Sequence, residues 1–180
     1  VFSRLALTLN AFLPAVFYLH QGVELGETFP VNTGLGFSPE EISQLPSGRL
    51  PLFSESALCW DNTAELTEHV SELNRVRAVW ESVVTDPRTG AFNIRNTSDE
   101  RAVCYVRSSP EKSLALAVLA NLDCFNSVRT SVELPTGKTE LREELTGAVI
   151  RVENGVTTVD LKPGEAMVLP LTDTPARSDA

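Results

Sequence analysis

Residues 148–169 read AVIRVENGVTTVDLKPGEAMVL, and their grammar decides the character of the C-terminal half. Three short runs rich in β-branched and apolar residues, Ala148–Val152, Val156–Leu161 and Ala166–Leu169, are separated by Asn154-Gly155 and Pro163-Gly164. An Asn-Gly pair suits a type I′ turn, because both central positions need positive φ, and it predicts a tight hairpin. Outward from this stretch the same period of two recurs in Ala91–Arg95, Arg101–Arg107, Leu114–Leu122, Val128–Leu134 and Glu140–Glu144. Ser109-Pro110, Pro135-Thr136-Gly137 and Thr146-Gly147 punctuate them with turn chemistry. About eight strands at roughly ten-residue spacing predict an antiparallel β-sandwich over 89–172, with a polar tail at 173–180.

Before Gly90 the pattern is different. Leu5, Leu9 and Phe12, flanked by Ala6 and Leu13, predict a largely buried helix from Val1 to Leu13 that Pro14 stops. Ala15–Leu19 is a continuous apolar run closed by His20, Gln21 and Gly22, the signature of a buried parallel strand. Gly22 to Cys59 follows with five Gly, four Pro and little periodicity. A loop of that length costs much ordering entropy and is usually functional. Asn62 and Glu65 then have capping-box spacing, and Leu66, Val70, Leu73, Val76 or Arg77, Trp80 and Val84 mark the buried stripe of a second helix ending near Thr85. Asp86 to Gly90 reads as a hinge. The fold class expected is therefore α/β plus all-β, divided near residue 88. One strand and two helices cannot close a sheet, since the strand's two faces would stay bare.

Composition narrows the function. Fifteen Lys and Arg against 24 Asp and Glu give a formal charge of −9, which disfavours nucleic acid and anionic membranes as partners. Leu5–Leu19 behind Arg4 has the apolarity of a signal-peptide core, but Asn10 and Pro14 interrupt it and no small-residue cleavage site follows. It is also too short and broken for a membrane span. Cys59, Cys104 and Cys124 are widely spaced and form no C-x-x-C pair, so they read as reduced thiols, with one bridge as the alternative in an oxidising compartment. A cytoplasmic location is the expectation, and secretion stays open. Two histidines, His20 and His69, are too few for a zinc site, and no cofactor or metal is expected.

Pro14-Ala15-Val16-Phe17-Tyr18, Gly22-Val23-Glu24, the Gly/Pro loop, Arg49-Leu50-Pro51-Leu52, Trp60-Asp61, an amphipathic helix and an all-β end occur here in the order seen at the C-terminal end of glycoside hydrolase family 13, the α-amylase family. Leu145-Thr146-Gly147 and Leu161-x-Pro163-Gly164-Glu165-Ala166-x-Val168-Leu169 resemble the ending of that family's C-terminal domain. Gly22–Glu27 and Pro30–Leu35 look closer to bacterial branches that include maltosyltransferase-like enzymes. The resemblance implies that 1–88 is the last helix–strand–helix of a TIM (β/α)8 barrel. The loop from Gly22 to Cys59 then faces substrate, because active sites sit at the carboxyl ends of barrel strands.

The same resemblance implies a retaining enzyme that hydrolyses or transfers α-glucosidic bonds in starch- or glycogen-like glucans, with acid and nucleophile about 5 Å apart. Those carboxylates belong to earlier strands, in a missing N-terminal barrel portion that is itself an expected partner. His20 is followed by Gln21 and His69 by Val70, so the family's His-Asp pair has no counterpart. Asp86-Pro87-Arg88 places an Asp near an Arg, but on the hinge, where a solvated turn is expected. No catalytic residue is assigned, and the chain alone is expected to be inactive. His20, Glu24, Asn32, Arg49 and Trp60 are the candidate contacts to an α-glucan. His20, Glu24, Asn32 and Trp60 have plain structural alternatives: a packed histidine, a carboxylate in a satisfied hydrogen-bond network, a turn-forming loop residue and a packing indole. A different class of function, a non-catalytic β-sandwich module for binding or structure, accounts for residues 91–170 but not for the run at 15–19.

Overall fold

The computed structural model describes residues 1–20, 22–27, 38–44, 58–61 and 66–174. Among these residues four α-helices, α1 (Phe2–Phe12), α2 (Pro39–Ser43), α3 (Thr67–Val79) and α4 (Glu81–Val84), precede eight strands. The strands are β1 (Phe92–Arg95), β2 (Ala102–Ser108), β3 (Ala115–Asn121), β4 (Val128–Glu133), β5 (Glu140–Arg142), β6 (Val149–Arg151), β7 (Val156–Leu161) and β8 (Ala166–Pro170). Every strand anticipated beyond Gly90 is present. They form a four-stranded sheet in the order β1-β2-β3-β8 and two ribbons, β4-β7 and β5-β6, with antiparallel pairing throughout. The Asn154-Gly155 turn has φ of 51° and 79°, and the Glu153 and Val156 backbones exchange hydrogen bonds across it.

The two ribbons and one face of the four-stranded sheet enclose the core. Cys104 and Val106 of β2, Ala117 and Leu119 of β3, Val132, Leu134, Leu141, Val159, Leu161 and Leu169 meet there. In β4 and β7 burial alternates strictly, as expected for strands wetted on one face. In β2 and β3 it does not, because the second face of the central strands is covered as well. That face carries Tyr105, Arg107, Leu116, Val118 and Val168, all buried, with α1 packed on β3 and β8 and α4 on β2. The body therefore has three layers, helices, sheet and ribbons, where the sequence suggested a two-layer sandwich.

Several N-terminal expectations change. The buried residues of α1 are Leu5, Leu7, Thr8, Ala11 and Phe12, so the stripe is rotated away from Leu9 and Leu13. The second helix breaks at Trp80, whose φ of −105° and ψ of 27° separate α3 from α4. Its proposed start at Asn62 and Glu65 lies outside the described residues. The loop also contains α2, where the Ser38 hydroxyl accepts from the Glu41 amide and the Glu41 carboxylate accepts from the Ser38 amide. This capping box was legible as Ser-x-x-Glu.

The largest departure is Ala15–Leu19. It is irregular rather than a strand, and Val16 and Tyr18 are 89% and 80% exposed instead of buried. A parallel strand needs a neighbour to take its amides and carbonyls, and the described residues offer no parallel edge. Among the described residues, 1–88 contribute no barrel-type parallel sheet. By compactness, Val1–Phe17 and Ser71–Ala180 form one unit and Tyr18–Val70 another, so α1 and α4 group with the strands.

Glu143, which follows β5, organises the turn after it. It is 2% exposed, and its carboxylate accepts from the Leu145 amide (3.0 Å), the Thr146 amide (2.6 Å), the Thr146 hydroxyl (2.7 Å) and the Val168 amide of β8 (2.9 Å). Gly147, at φ 74°, then returns its amide to the Glu143 carbonyl. The Leu145-Thr146-Gly147 motif is thus the wrapping around one buried carboxylate. Replacing Glu143 with Ala strands these donors and is expected to cost about 2–4 kcal/mol in a urea unfolding titration.

A second carboxylate gives a pH signature. Asp99 receives the Arg101 guanidinium and amide, and this pairing holds its carboxyl down at about 2, against an ordinary value of 3.8. The stabilisation is present above 3.8 and is lost as pH falls through about 2. Asp99→Asn should remove that part of the acid sensitivity, seen as a flatter dependence of Tm on pH between these values.

Candidate functional site

Three of the five residues expected to meet a sugar, His20, Glu24 and Trp60, lie in the compact unit 18–70. Asn32 and Arg49 lie outside the described residues. Around His20 and Glu24 the backbone coils into two consecutive turns. The Val23 amide donates to the His20 carbonyl (3.1 Å), those of Leu25 and Glu27 donate to that of Gly22 (3.1 and 3.0 Å), and that of Gly26 donates to that of Val23 (3.0 Å). Gly22 and Gly26 sit at φ of 95° and 65°, where a side chain would be strained. A Cβ on Gly22 would also lie 3.0 Å from the Leu58 side chain. The spacing Gly22-x-Glu24 is therefore a turn signature in the first place.

Glu24 serves that turn. Its carboxylate accepts from the Gly22 amide at 3.1 Å, and its carbonyl accepts from the Leu66 amide at 2.6 Å and the Thr67 hydroxyl at 3.5 Å. The second bond ties the loop to the start of α3. Glu27, which sequence reasoning passed over, reaches farther: its carboxylate accepts from the Cys59 amide at 2.8 Å, 32 residues away. Leu25, Leu58 and Leu66 are buried in the same unit. The Glu27 bond and the Gly22–Leu58 approach hold the 20–27 turns beside 58–61, so His20, Glu24 and Trp60 belong to one small construction. The His20 side chain is exposed, and Trp60 is 59% exposed, unlike a packing plug. Trp80, by contrast, is fully buried and donates its indole N–H to a Glu144 carboxylate oxygen at 3.1 Å.

Asp86, Asp99, Glu111 and Asp123 are shifted away from what acid catalysis needs. Asp86 is only 7% exposed and is gripped by Arg88 through bonds of 2.7–3.2 Å, so a buried carboxylate meets a half-exposed guanidinium where a solvated turn was expected. Arg88 holds its carboxyl below the usual range, and hydrogen bonds from neighbouring backbone and side chains do the same for Glu111 and Asp123. A glycosidase acid needs the opposite shift. Among the described residues no group of three His, Cys, Asp or Glu side chains converges as a metal site. All three cysteines are free thiols, and burial pushes that of Cys104 up to about 12.

Open grooves also lie among the described residues. One of about 470 Å³ runs along Pro14, Ala15, Val16 and Phe17, with Arg77, Val84 and Pro87 on its other wall. The Arg77 guanidinium lies 5.2 Å from the Phe17 ring centre and donates to the Ala11 carbonyl. A second groove, of about 580 Å³, is polar and is lined by Arg129, Arg151, Glu153, Asn154, Val156 and Thr158.

No protein-family model matches the sequence, and a search of the curated proteins finds no match. Among solved structures the chain is similar to an Anoxybacillus α-amylase (TM-score 0.65, 18% identity, 98% of this chain and 33% of that one). It is similar to AmyP in complex with maltotriose (TM-score 0.64, 18% identity, 97% and 35%). A third is the α-amylase GTA of Geobacillus thermoleovorans complexed with acarbose (TM-score 0.64, 16% identity, 95% and 33%). The chain shares its fold with a portion of these proteins and spans about a third of their length.

The Glu27 tether gives a direct test of the unit that carries His20, Glu24 and Trp60. Glu27→Ala frees the Cys59 backbone, so a thiol reagent should label Cys59 several-fold faster than in the parent chain, while Cys104 stays unlabelled until the chain unfolds.

Proposed function

We propose that this chain is the C-terminal portion of an enzyme of the α-amylase family that hydrolyses or transfers α-glucosidic bonds in starch- or glycogen-like glucans. The observation that carries the reading is the extent of the likeness. It covers 95–98% of the chain, including the N-terminal part that a free-standing sandwich module leaves without explanation. The exposed apolar run with Val16 and Tyr18 agrees with it, since a barrel strand without its neighbours would leave just such side chains bare. Two of the similar structures hold maltotriose and acarbose, which points to an α-glucan oligosaccharide as the ligand class.

In this reading the acid, nucleophile and third carboxylate come from elsewhere in the enzyme. Residues 18–70 supply part of the wall around the sugar. Trp60 offers an exposed indole face for a glucosyl ring, and His20, Asn32 and Arg49 offer hydrogen bonds to hydroxyl groups. Glu24 contributes by fixing the turn on which His20 stands, through its bond to the Gly22 amide.

The test compares the purified 180-residue chain with the product of the complete reading frame, each given maltotriose and soluble starch in a reducing-sugar and product-chromatography assay. The complete product is expected to cleave or rearrange the glucan and the 180-residue chain to do neither. Turnover by the short chain, or a complete product inert on α-glucans, overturns the proposal. In the complete product, Trp60→Ala is expected to raise KM for maltotriose about five-fold with little change in kcat, the size of one lost ring contact.

A further inference from the structure

We infer that the β-sandwich is not a self-standing domain: it folds as one cooperative body with α1 and residues 71–88, keyed by the Arg107 guanidinium. Arg107 is the next-to-last residue of β2, a central strand of the sheet, and is fully buried. Its Nη1 donates to the Phe12 carbonyl at 3.0 Å. Its Nη2 reaches the carbonyls of Val83 (3.1 Å), Val84 (3.3 Å) and Asp86 (2.6 Å). None of these acceptors belongs to a strand. Phe12 ends α1 and Val84 ends α4, so one cation satisfies the last carbonyls of two helices.

The dependence runs both ways. Without the helices, a buried guanidinium on the central strand loses its acceptors, and the sheet face formed by Tyr105, Leu116, Val118 and Val168 is laid open. Without Arg107, both helix ends are left with unpaired carbonyls against an apolar sheet. Two further keys cross the same layers. The Tyr105 hydroxyl donates to the Leu9 carbonyl at 2.8 Å. Away from Arg107, Glu144 takes the Trp80 indole N–H on its carboxylate and Arg75 Nη2 on its carbonyl (2.8 Å). The change of sequence period near Gly90 is therefore a boundary of secondary structure and not of folding. The end of α1, from which the chain passes into residues 18–70, is held in place by a residue of the sheet.

Native-state hydrogen exchange on the intact 180-residue chain tests this. The slowest amides of α1 and of β3 are expected to open with rates within about tenfold of each other, as members of one cooperative unit do. Arg107→Met, which keeps bulk and removes the donors, should speed both sets together and lower Tm by on the order of 10 °C in a single transition. Helix amides that exchange more than tenfold faster than those of β3 in the unaltered chain overturn the inference. So does an Arg107→Met chain in which α1 alone loosens. The comparison within the unaltered chain decides the matter even where the variant does not fold.

Discussion

The burial of one guanidinium constrains this molecule more than any other single interaction. A cation with no exposure is tolerated only where acceptors surround it, and for Arg107 these are four main-chain carbonyls at the ends of helices. Burial lowers its proton affinity, while nearby Tyr105 and Asp86 act in the opposite direction. Its Nε finds no acceptor among the described residues, so the site is only partly satisfied. The position of α1 and α4 on the sheet follows from where those carbonyls must lie. The continuous burial of β2 and β3 follows in turn.

Two features that looked like family ornament have plain physical work to do. Leu145-Thr146-Gly147 wraps the Glu143 carboxylate, which reaches across to the β8 amide of Val168 and fastens the β5 end to the four-stranded sheet. Pro163-Gly164-Glu165 makes the turn into β8. The Glu165 carboxylate accepts from the Lys162 amide, and the Gly164 amide, at φ 62°, donates to the Asp123 carbonyl. At φ 62° a side chain at Gly164 would be strained, and its Cβ would also press on the Val1 side chain. The motifs that carry the family resemblance therefore fall on turn and burial positions of this chain, and the likeness to the solved structures, at 16–18% identity, is one of fold.

The candidate site was less readable than the scaffold. Glu24 was singled out for its place after an apolar run, and it proves to brace a turn. Glu27, which joins segments 32 residues apart, gave no local signal, because its partner is a backbone amide and any residue supplies one. Arg107 had a faint signal, a lone cation directly after the apolar run Ala102–Val106. Its acceptors are again main-chain groups, which no side-chain pattern announces. Glu143 was hidden in the same way, inside the short strand run Glu140–Glu144.

Local chemistry was enough for the eight strands and the hairpin at Asn154-Gly155, because turn residues and a period of two act over a few positions and need no distant partner. The same reasoning misjudged Ala15–Leu19, since an apolar run has strand propensity but becomes a strand only where another edge accepts its hydrogen bonds. It also missed that α1 and α4 form a third layer. Which face of a helix is buried, and whether a sheet is covered on one side or two, depends on contacts between residues distant in the chain, such as Tyr105 and Leu9, 96 positions apart. Burial of that kind is a property of the packed chain and is absent from any window of its sequence.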